Sequence, residues 1–188
     1  MRIISGIFKG KKILEPKDIK TRPLKDLTKE SIFNIIIHSK KFRINLKNSI
    51  ILDLFSGVGS FGIECLSRNV KKVIFLENYN GVLPILKKNL ENLNLKEKFL
   101  ILEYDIYEDN IFSKLENKFD IIFLDPPYKD KNLKSVLNLI KNGNILDTNG
   151  IVIMHRHKNE IEKFPSGYQV IEKKNYGLSK IIFLNILN

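Results

Sequence analysis

The chain has one cysteine, no alanine and no long apolar run. With Cys65 alone, an internal disulfide and any cysteine metal cluster are excluded. No stretch approaches about eighteen apolar residues, so no membrane-spanning helix is expected. The opening Met1-Arg2-Ile3-Ile4-Ser5-Gly6 is too short and too interrupted for a signal peptide. A soluble, intracellular, cytoplasmic protein is the expectation. The missing alanine, beside abundant Ile, Lys, Leu and Asn, reads as the codon bias of an A+T-rich genome, and it weakens any argument from lysine content alone.

What is present points to one globular unit. A length of 188 residues suits a single domain with a small appendage, and 43% hydrophobic residues exclude a disordered chain. The formal charge of +11 is unevenly placed. Residues 1–49 carry 13 Lys/Arg against 4 Asp/Glu, a net of +9; residues 50–188 carry 19 against 17, a net of +2. Codon bias would spread lysine evenly. A basic segment on a near-neutral body is the footprint of a polyanion contact, most often nucleic acid.

Periodicity divides the chain near Asn48. Residues 2–14 read as a hairpin around Lys9-Gly10, and a helix capped by Asp26 or Thr28 runs to about His38. Beyond a basic linker, strands and helices alternate. Strands are expected at Ser49–Leu54, Lys72–Glu77, Phe99–Glu103, Phe119–Leu124 and Ile151–Met154. Helices are expected at Ser60–Arg68, Gly81–Asn94, Lys131–Lys141 and, more weakly, Ile106–Leu115. Continuous β-branched and aromatic runs suit a parallel sheet buried on both faces, and the repeated order implies right-handed crossovers and a doubly wound sheet. Tyr168–Asn175 and Ser179–Leu187, joined by a short turn, must be antiparallel. The fold class is therefore α/β, a mostly parallel seven-stranded sheet with a C-terminal antiparallel hairpin, preceded by a small β-hairpin/helix extension. Residues 1–48 would contact RNA and residues 49–188 would form the catalytic domain.

The first strand of the alternating region runs into Asp53-Leu54-Phe55-Ser56-Gly57-Val58-Gly59-Ser60-Phe61-Gly62. Gly57 and Gly59 permit a tight turn close to a ligand, and Gly62 lets the following helix approach the sheet. The spacing alone also fits a dinucleotide site, with Glu77 twenty residues beyond Gly57. Three acceptors at successive strand ends favour S-adenosylmethionine. Asp53 precedes the turn, where it can accept from an ammonium and would repel a pyrophosphate. Glu77, followed by Asn78, can take both ribose hydroxyls. Asp105 can accept from an adenine amine with Ile106 against the ring. Phe55 and Ser56 complete the cradle.

Asp125-Pro126-Pro127-Tyr128 ends the strand Phe119–Leu124. Two prolines donate no backbone N–H and fix φ, so the ladder stops there, leaving a carboxylate, free carbonyls and an aromatic ring at a stiff corner. That corner suits a flat base with an exocyclic amine. The amine is a poor nucleophile because its lone pair is delocalised. If Asp125 and the Pro126 carbonyl accept its hydrogens, the lone pair localises and can attack a methyl group, with positioning supplying most of the acceleration. Asp125 can also take the departing proton. Tyr128 would stack on the base, which must first leave its own stack.

These motifs resemble a known family. Asp125-Pro126-Pro127-Tyr128 is similar to the Asp/Asn-Pro-Pro-aromatic motif of amino-directed methyltransferases. Together with Thr21-Arg22-Pro23, Lys29–Asn34, Leu52–Glu64 and Tyr176-Gly177, it resembles the bacterial RsmD-type family over nearly the whole chain. The resemblance implies a Rossmann-like methyltransferase that methylates N2 of a guanine in 16S ribosomal RNA on the assembling small subunit. It implies a monomer that uses S-adenosylmethionine and no metal. Asp53, the glycine turn, Glu77 and Asp105 would hold the cofactor, and Asp125–Tyr128 the guanine. Thr21, Arg22 and Pro23 would lie in the substrate- and cofactor-side N-terminal arm; apart from the resemblance, Lys9, Lys11 and Lys12 of the basic hairpin read as phosphate contacts. Leu24-Lys25 departs from the small hydroxyl residues usual after Arg-Pro.

His155-Arg156-His157 has no third metal ligand in view and reads as RNA-facing or solvated, while Cys65 reads as core. Other readings stay open: methylation of adenine N6 in DNA or of a protein glutamine, an NAD-dependent oxidoreductase, and a non-catalytic RNA-binding assembly factor.

Overall fold

The computed structural model describes residues 1–16, 24–108, 111–127 and 130–187. Seven strands form one sheet: β1 (Ile50–Leu54), β2 (Lys72–Leu76), β3 (Phe99–Leu102), β4 (Phe119–Leu124), β5 (Leu146–His157), β6 (Tyr168–Tyr176) and β7 (Ser179–Ile186), in the spatial order β3-β2-β1-β4-β5-β7-β6. The pairs among β1–β5 are parallel; β7 runs antiparallel to both β5 and β6. The α/β class, the parallel majority and the terminal hairpin are as the sequence indicates.

The predominantly apolar strands have a physical reason. Alternate residues of β1 and β4 feed opposite cores: Ile51, Ile121 and Phe123 on one face, Leu52, Leu54, Ile122 and Leu124 on the other. Both faces are covered: α1 (Asp26–His38), α2 (Ser60–Ser67) and α3 (Leu83–Glu91) pack into the first core, and α4 (Leu133–Asn142) buries Leu133, Val136, Leu137 and Ile140 in the second. Pro84 stands in the first turn of α3, where its missing N–H has no partner to lose.

The strand order reverses between β1 and β4, the place where sheets of this kind leave a crevice beyond their carboxyl ends. Asp53 and Leu54 pair with Phe123 and Leu124. The turns leaving the two strands therefore start at one level, and the Asp125 N–H reaches the Leu54 carbonyl at 3.4 Å.

Three local expectations change. Instead of a helix over 106–115, the described residues show only a single 3₁₀ turn, Ile111–Lys114. The Asp105 carboxylate accepts from the Tyr107 N–H at 2.9 Å and the Glu108 N–H bonds to Asp105 O at 3.1 Å, a capped turn that no continuous helix follows among the described residues. Strand β5 begins at Leu146, five residues before the expected start, and absorbs the Asn149-Gly150 turn signal as a register shift against Phe119 and Ile121. The N-terminal hairpin exists with minimal ladder: Ile3 N–H donates to Lys11 O at 2.9 Å and Gly10 N–H to Ile3 O at 2.8 Å, yet Arg2 and Lys12 form its one bridge.

That N-terminal arm is anchored to α2 by buried polar groups. The fully buried Glu64 carboxylate accepts from the Ile4 and Ser5 amides at 2.9 and 3.0 Å and from Arg68 Nε at 3.2 Å. Hydrogen bonds to a charged group contribute roughly 1.5–3 kcal/mol each. The buried Lys29 ammonium donates to Arg2 O at 2.7 Å and lies 3.5 Å from Asp26; burial holds its pKa below the usual lysine range. Phe33 of α1 stacks on Phe61 of α2 at 5.4 Å, and Phe61 on Phe123 of β4 at 4.0 Å. One aromatic column thus ties the arm, the glycine-turn helix and the strand bearing Asp125.

Candidate active site

The turn after β1 adopts the conformation its glycines permit. Gly57 and Gly59 have φ of 55° and 85°, in the left-handed region that side chains disfavour. Phe55, at φ 57°, is left-handed without being glycine, a conformation that persists only where surroundings enforce it and that clusters at functional sites. The Ser56 N–H bonds to Leu76 O at 3.2 Å and the Gly59 N–H to Ser56 O at 2.8 Å, closing the loop against β2.

A cavity of about 750 Å³ opens beyond the carboxyl ends of β1, β2 and β4, within the size range of small-ligand sites. Its walls hold Asp53, Phe55, Ser56, Gly57, Glu77, Asn78, Asp105 and Ile106 together with Asp125, Pro126 and Pro127. The structure therefore joins the two motifs, seventy residues apart in sequence, in one chamber. Gly59 and Gly62 are not in its walls. Gly62 acts behind Asp53, donating its N–H to Asp53 Oδ2 at 2.9 Å.

The charge of the chamber is one-sided. Asp53, Glu77, Asp105, Asp125 and Asp130 all line it, and among the described lining residues there is no lysine or arginine. Asp53 is buried; burial pushes its pKa well above the usual carboxylate range, the Gly62 N–H opposes this, and Asp125 and Glu77 push further upward. A cationic ligand relieves such a field, whereas a pyrophosphate would meet repulsion and buried desolvation. Glu77 is held rigidly: Oε2 accepts from Gly57 N–H at 2.7 Å, and Oε1 from the Asn78 and Tyr79 amides at 2.9 and 2.8 Å. Three of a carboxylate's roughly four acceptor sites are thereby used.

Asp125 is engaged on one side. Its Oδ1 lies 2.8 Å from His155 Nδ1, and His155 Nε2 lies 2.9 Å from Ser179 Oγ. His155 is buried and lines the cavity. Its sequence context suggests a residue facing RNA or solvent; instead it faces inward, onto Asp125. Its partner stands thirty residues away on a neighbouring strand, so no local spacing announces the pair. Its one available signal was its place on β5, beside the strand that ends in Asp125. Tyr107, also in the wall, donates its hydroxyl to Asp130 Oδ2 at 2.6 Å; burial and that acceptor raise its pKa.

Not every candidate converges. Lys9, Lys11 and Lys12 are exposed and outside the cavity wall. Lys11 Nζ donates to Asn92 O and sits 5.4 Å over the Phe8 ring. The adjoining Ile7 and Phe8 amides bond to Ser67, the last residue of α2, whereas Ser60, its first, faces the cavity. The segment bearing the lysines is thus tied to the end of α2 opposite the chamber, and Ser60 and Ser67 are separated by about 10 Å along the helix at 1.5 Å per residue. Thr21, Arg22, Pro23 and Tyr128 lie outside the described residues. Cys65 is fully buried and its thiol pushed upward by burial, as core. Among the described residues no cluster of side chains could hold a metal ion, and no helix is long and apolar enough to cross a membrane.

Known proteins resemble the whole chain. The family described as Conserved hypothetical protein 95 matches residues 1–185. YlbH of Bacillus subtilis, a candidate rRNA methyltransferase, is 34% identical over 183 residues, with 96% of each chain covered. The ribosomal RNA small subunit methyltransferase D of Haemophilus influenzae is 30% identical over 179 residues, covering 95% of this chain and 90% of that one. A solved structure of a candidate methylase from Haemophilus influenzae superposes with a TM-score of 0.77 at 30% identity, covering 100% of this chain and 98% of that one.

Proposed function

The chain belongs to the Conserved hypothetical protein 95 family, and from that premise we propose that it transfers a methyl group from S-adenosylmethionine to the exocyclic N2 amine of a guanine in 16S ribosomal RNA. The observation that carries this reading is the shared chamber: an anionic cofactor cradle and an Asp-Pro-Pro corner in the walls of one cavity. The relatives named for small-subunit rRNA supply the substrate class.

S-adenosylmethionine, when bound, supplies a methyl group made electrophilic by a cationic sulfur. The residues fit it. Asp53 and the turn Phe55–Val58 would take the amino acid end, Asp53 accepting from the ammonium while Gly62 holds the Asp53 carboxylate from behind. Glu77 has room for one further donor, so it would take one ribose hydroxyl and Asn78 the other. Asp105 and Ile106 would hold the adenine. On the substrate side, Asp125 and the Pro126 carbonyl accept from the guanine amine, which turns its lone pair toward the cradle. Pro126 and Pro127 keep that corner stiff, and Tyr128 would stack on the base. Asp125 receives the proton released when nitrogen gains its methyl.

The test is tritiated methyl transfer to small subunits lacking the modification, followed by nucleoside analysis. The label is expected in N2-methylguanosine; label in methyladenosine or in protein would overturn the guanine assignment.

RNA contact by the basic arm has its own readout. Each phosphate contact to single-stranded RNA contributes about 0.7 to the slope of log affinity against log salt. Replacing Lys9, Lys11 and Lys12 by serine should therefore flatten the slope by about 2 and weaken binding at low salt. An unchanged slope would place the RNA elsewhere.

A further inference from the structure

We infer that His155 is a positioning residue: held by Ser179, it pins one oxygen of the Asp125 carboxylate so that the other is presented to the substrate amine. The inference rests on the reading of Asp125 as the amine's acceptor and extends it to two residues that neither the motif nor the family likeness picks out.

The three side chains span the ends of adjacent strands. Asp125 leaves β4, His155 lies near the end of β5, and Ser179 opens β7. The contacts are 2.8 Å from Asp125 Oδ1 to His155 Nδ1 and 2.9 Å from His155 Nε2 to Ser179 Oγ. His155 and Ser179 are 6% and 9% exposed, so water competes little for either bond. A carboxylate only accepts, so the nitrogen facing it carries a hydrogen. In the neutral ring Nε2 then accepts from the Ser179 hydroxyl. One tautomer satisfies every atom of the chain, which is how a histidine's second partner fixes its first.

The effect on Asp125 is geometric. The two residues that follow it are prolines, which have no N–H to donate, and His155 Nδ1 lies 2.8 Å from its Oδ1. Without His155, the carboxylate could rotate about two side-chain torsions and turn either oxygen, or neither, to the base. A misplacement of about 1 Å in a reacting pair costs about a hundredfold in rate. The His155 contact removes that freedom before substrate arrives.

Two substitutions separate positioning from packing. His155→Leu keeps volume and loses the donor; His155→Asn loses volume and keeps an N–H where Nδ1 stood. Single-turnover methyl transfer should fall about 30- to 100-fold in His155→Leu, with cofactor affinity and RNA KM within about twofold of wild type. His155→Asn should stay within about fivefold. Equal losses in both variants, or wild-type turnover in His155→Leu, would overturn the inference. Nitrogen NMR of the His155 ring reads the same contact without substrate, even if a variant folds poorly. The wild-type ring should be the Nδ1–H tautomer and should lose that preference in Asp125→Ala; a ring indifferent to Asp125 would also overturn it. Failure of the Asp125 reading on which the inference rests looks different: there Asp125→Ala itself would remain active in methyl transfer.

Discussion

Asp125→Ala is expected to abolish methyl transfer, by at least about a thousandfold, while S-adenosylmethionine binds with unchanged or slightly improved affinity. The magnitude follows from what one group does. Removing a single preorganised electrostatic partner costs about 10²–10³ in rate, and loss of a general base costs about 10²–10⁴; in the proposed mechanism Asp125 combines both tasks. Retained binding follows from the electrostatics of the chamber. Asp53, which would meet the ammonium, is already pushed toward its neutral form, in part by Asp125. Deleting Asp125 relieves that push and leaves Asp53 a better anion. Calorimetric titration with the cofactor and single-turnover transfer of label check the two halves separately. Near-wild-type turnover would refute the assigned chemistry, and lost cofactor binding would put Asp125 in the cradle instead.

What could be read from the sequence was what local chemistry determines. The strands announced themselves because both faces of β1 and β4 are covered, and continuous runs such as Ile50–Leu54 have no other use in a chain of this size. The turns announced themselves because Gly57, Gly59 and Pro126-Pro127 each fulfil a backbone requirement that few residues meet. The antiparallel end followed from a turn too short for any crossover. What stayed hidden was pairing over distance. Glu64 sits in α2, within a segment read for its glycines, yet its carboxylate secures amides sixty residues earlier. His155 pairs with Asp125 across two strands. Glu77 looked free for two hydroxyls, and the backbone amides of Gly57, Asn78 and Tyr79 claim most of it. Of the misread segments, 106–115 shows only a single 3₁₀ turn among the described residues despite a capped start at Asp105, and the turn signal of Asn149-Gly150 was absorbed within a strand. For Glu64, His155, Glu77 and β5, a specific partner elsewhere overrode a weak local preference.

Gly62→Ala is expected to destabilise the fold and to remove cofactor binding together, the second large effect. Alanine is the better helix former by about 1 kcal/mol, and Gly62 lies inside α2, so propensity alone predicts stabilisation. Sterics decide otherwise. A Cβ at this position would stand 2.2 Å from Phe75 Cε1 and 2.9 Å from Asp53 Oδ2. Phe75 is fully buried on β2, and its ring cannot swing aside as an exposed side chain would. Overpacking of this kind costs about 1–3 kcal/mol, and in a chain of this length each kcal/mol lowers Tm by about 2–4 °C. A net loss of about 2 kcal/mol would then lower Tm by about 4–8 °C. The helix can relieve the clash by moving away from β2, but the Gly62 N–H moves with it and releases Asp53 Oδ2. The carboxylate then loses the bond that counters its burial, and both its position and its charge fail the ammonium. Gly10→Ala is the control. Nothing lies within 4 Å of its Cβ, and only its φ of +87° is strained, so a cost of about 1 kcal/mol with intact cofactor binding is expected. Thermal melts with and without S-adenosylmethionine measure both variants. A Gly62→Ala protein that melts at the wild-type temperature and is still stabilised by the cofactor would show that α2 does not need its close approach to the sheet, and that Asp53 is not held from behind as the site requires.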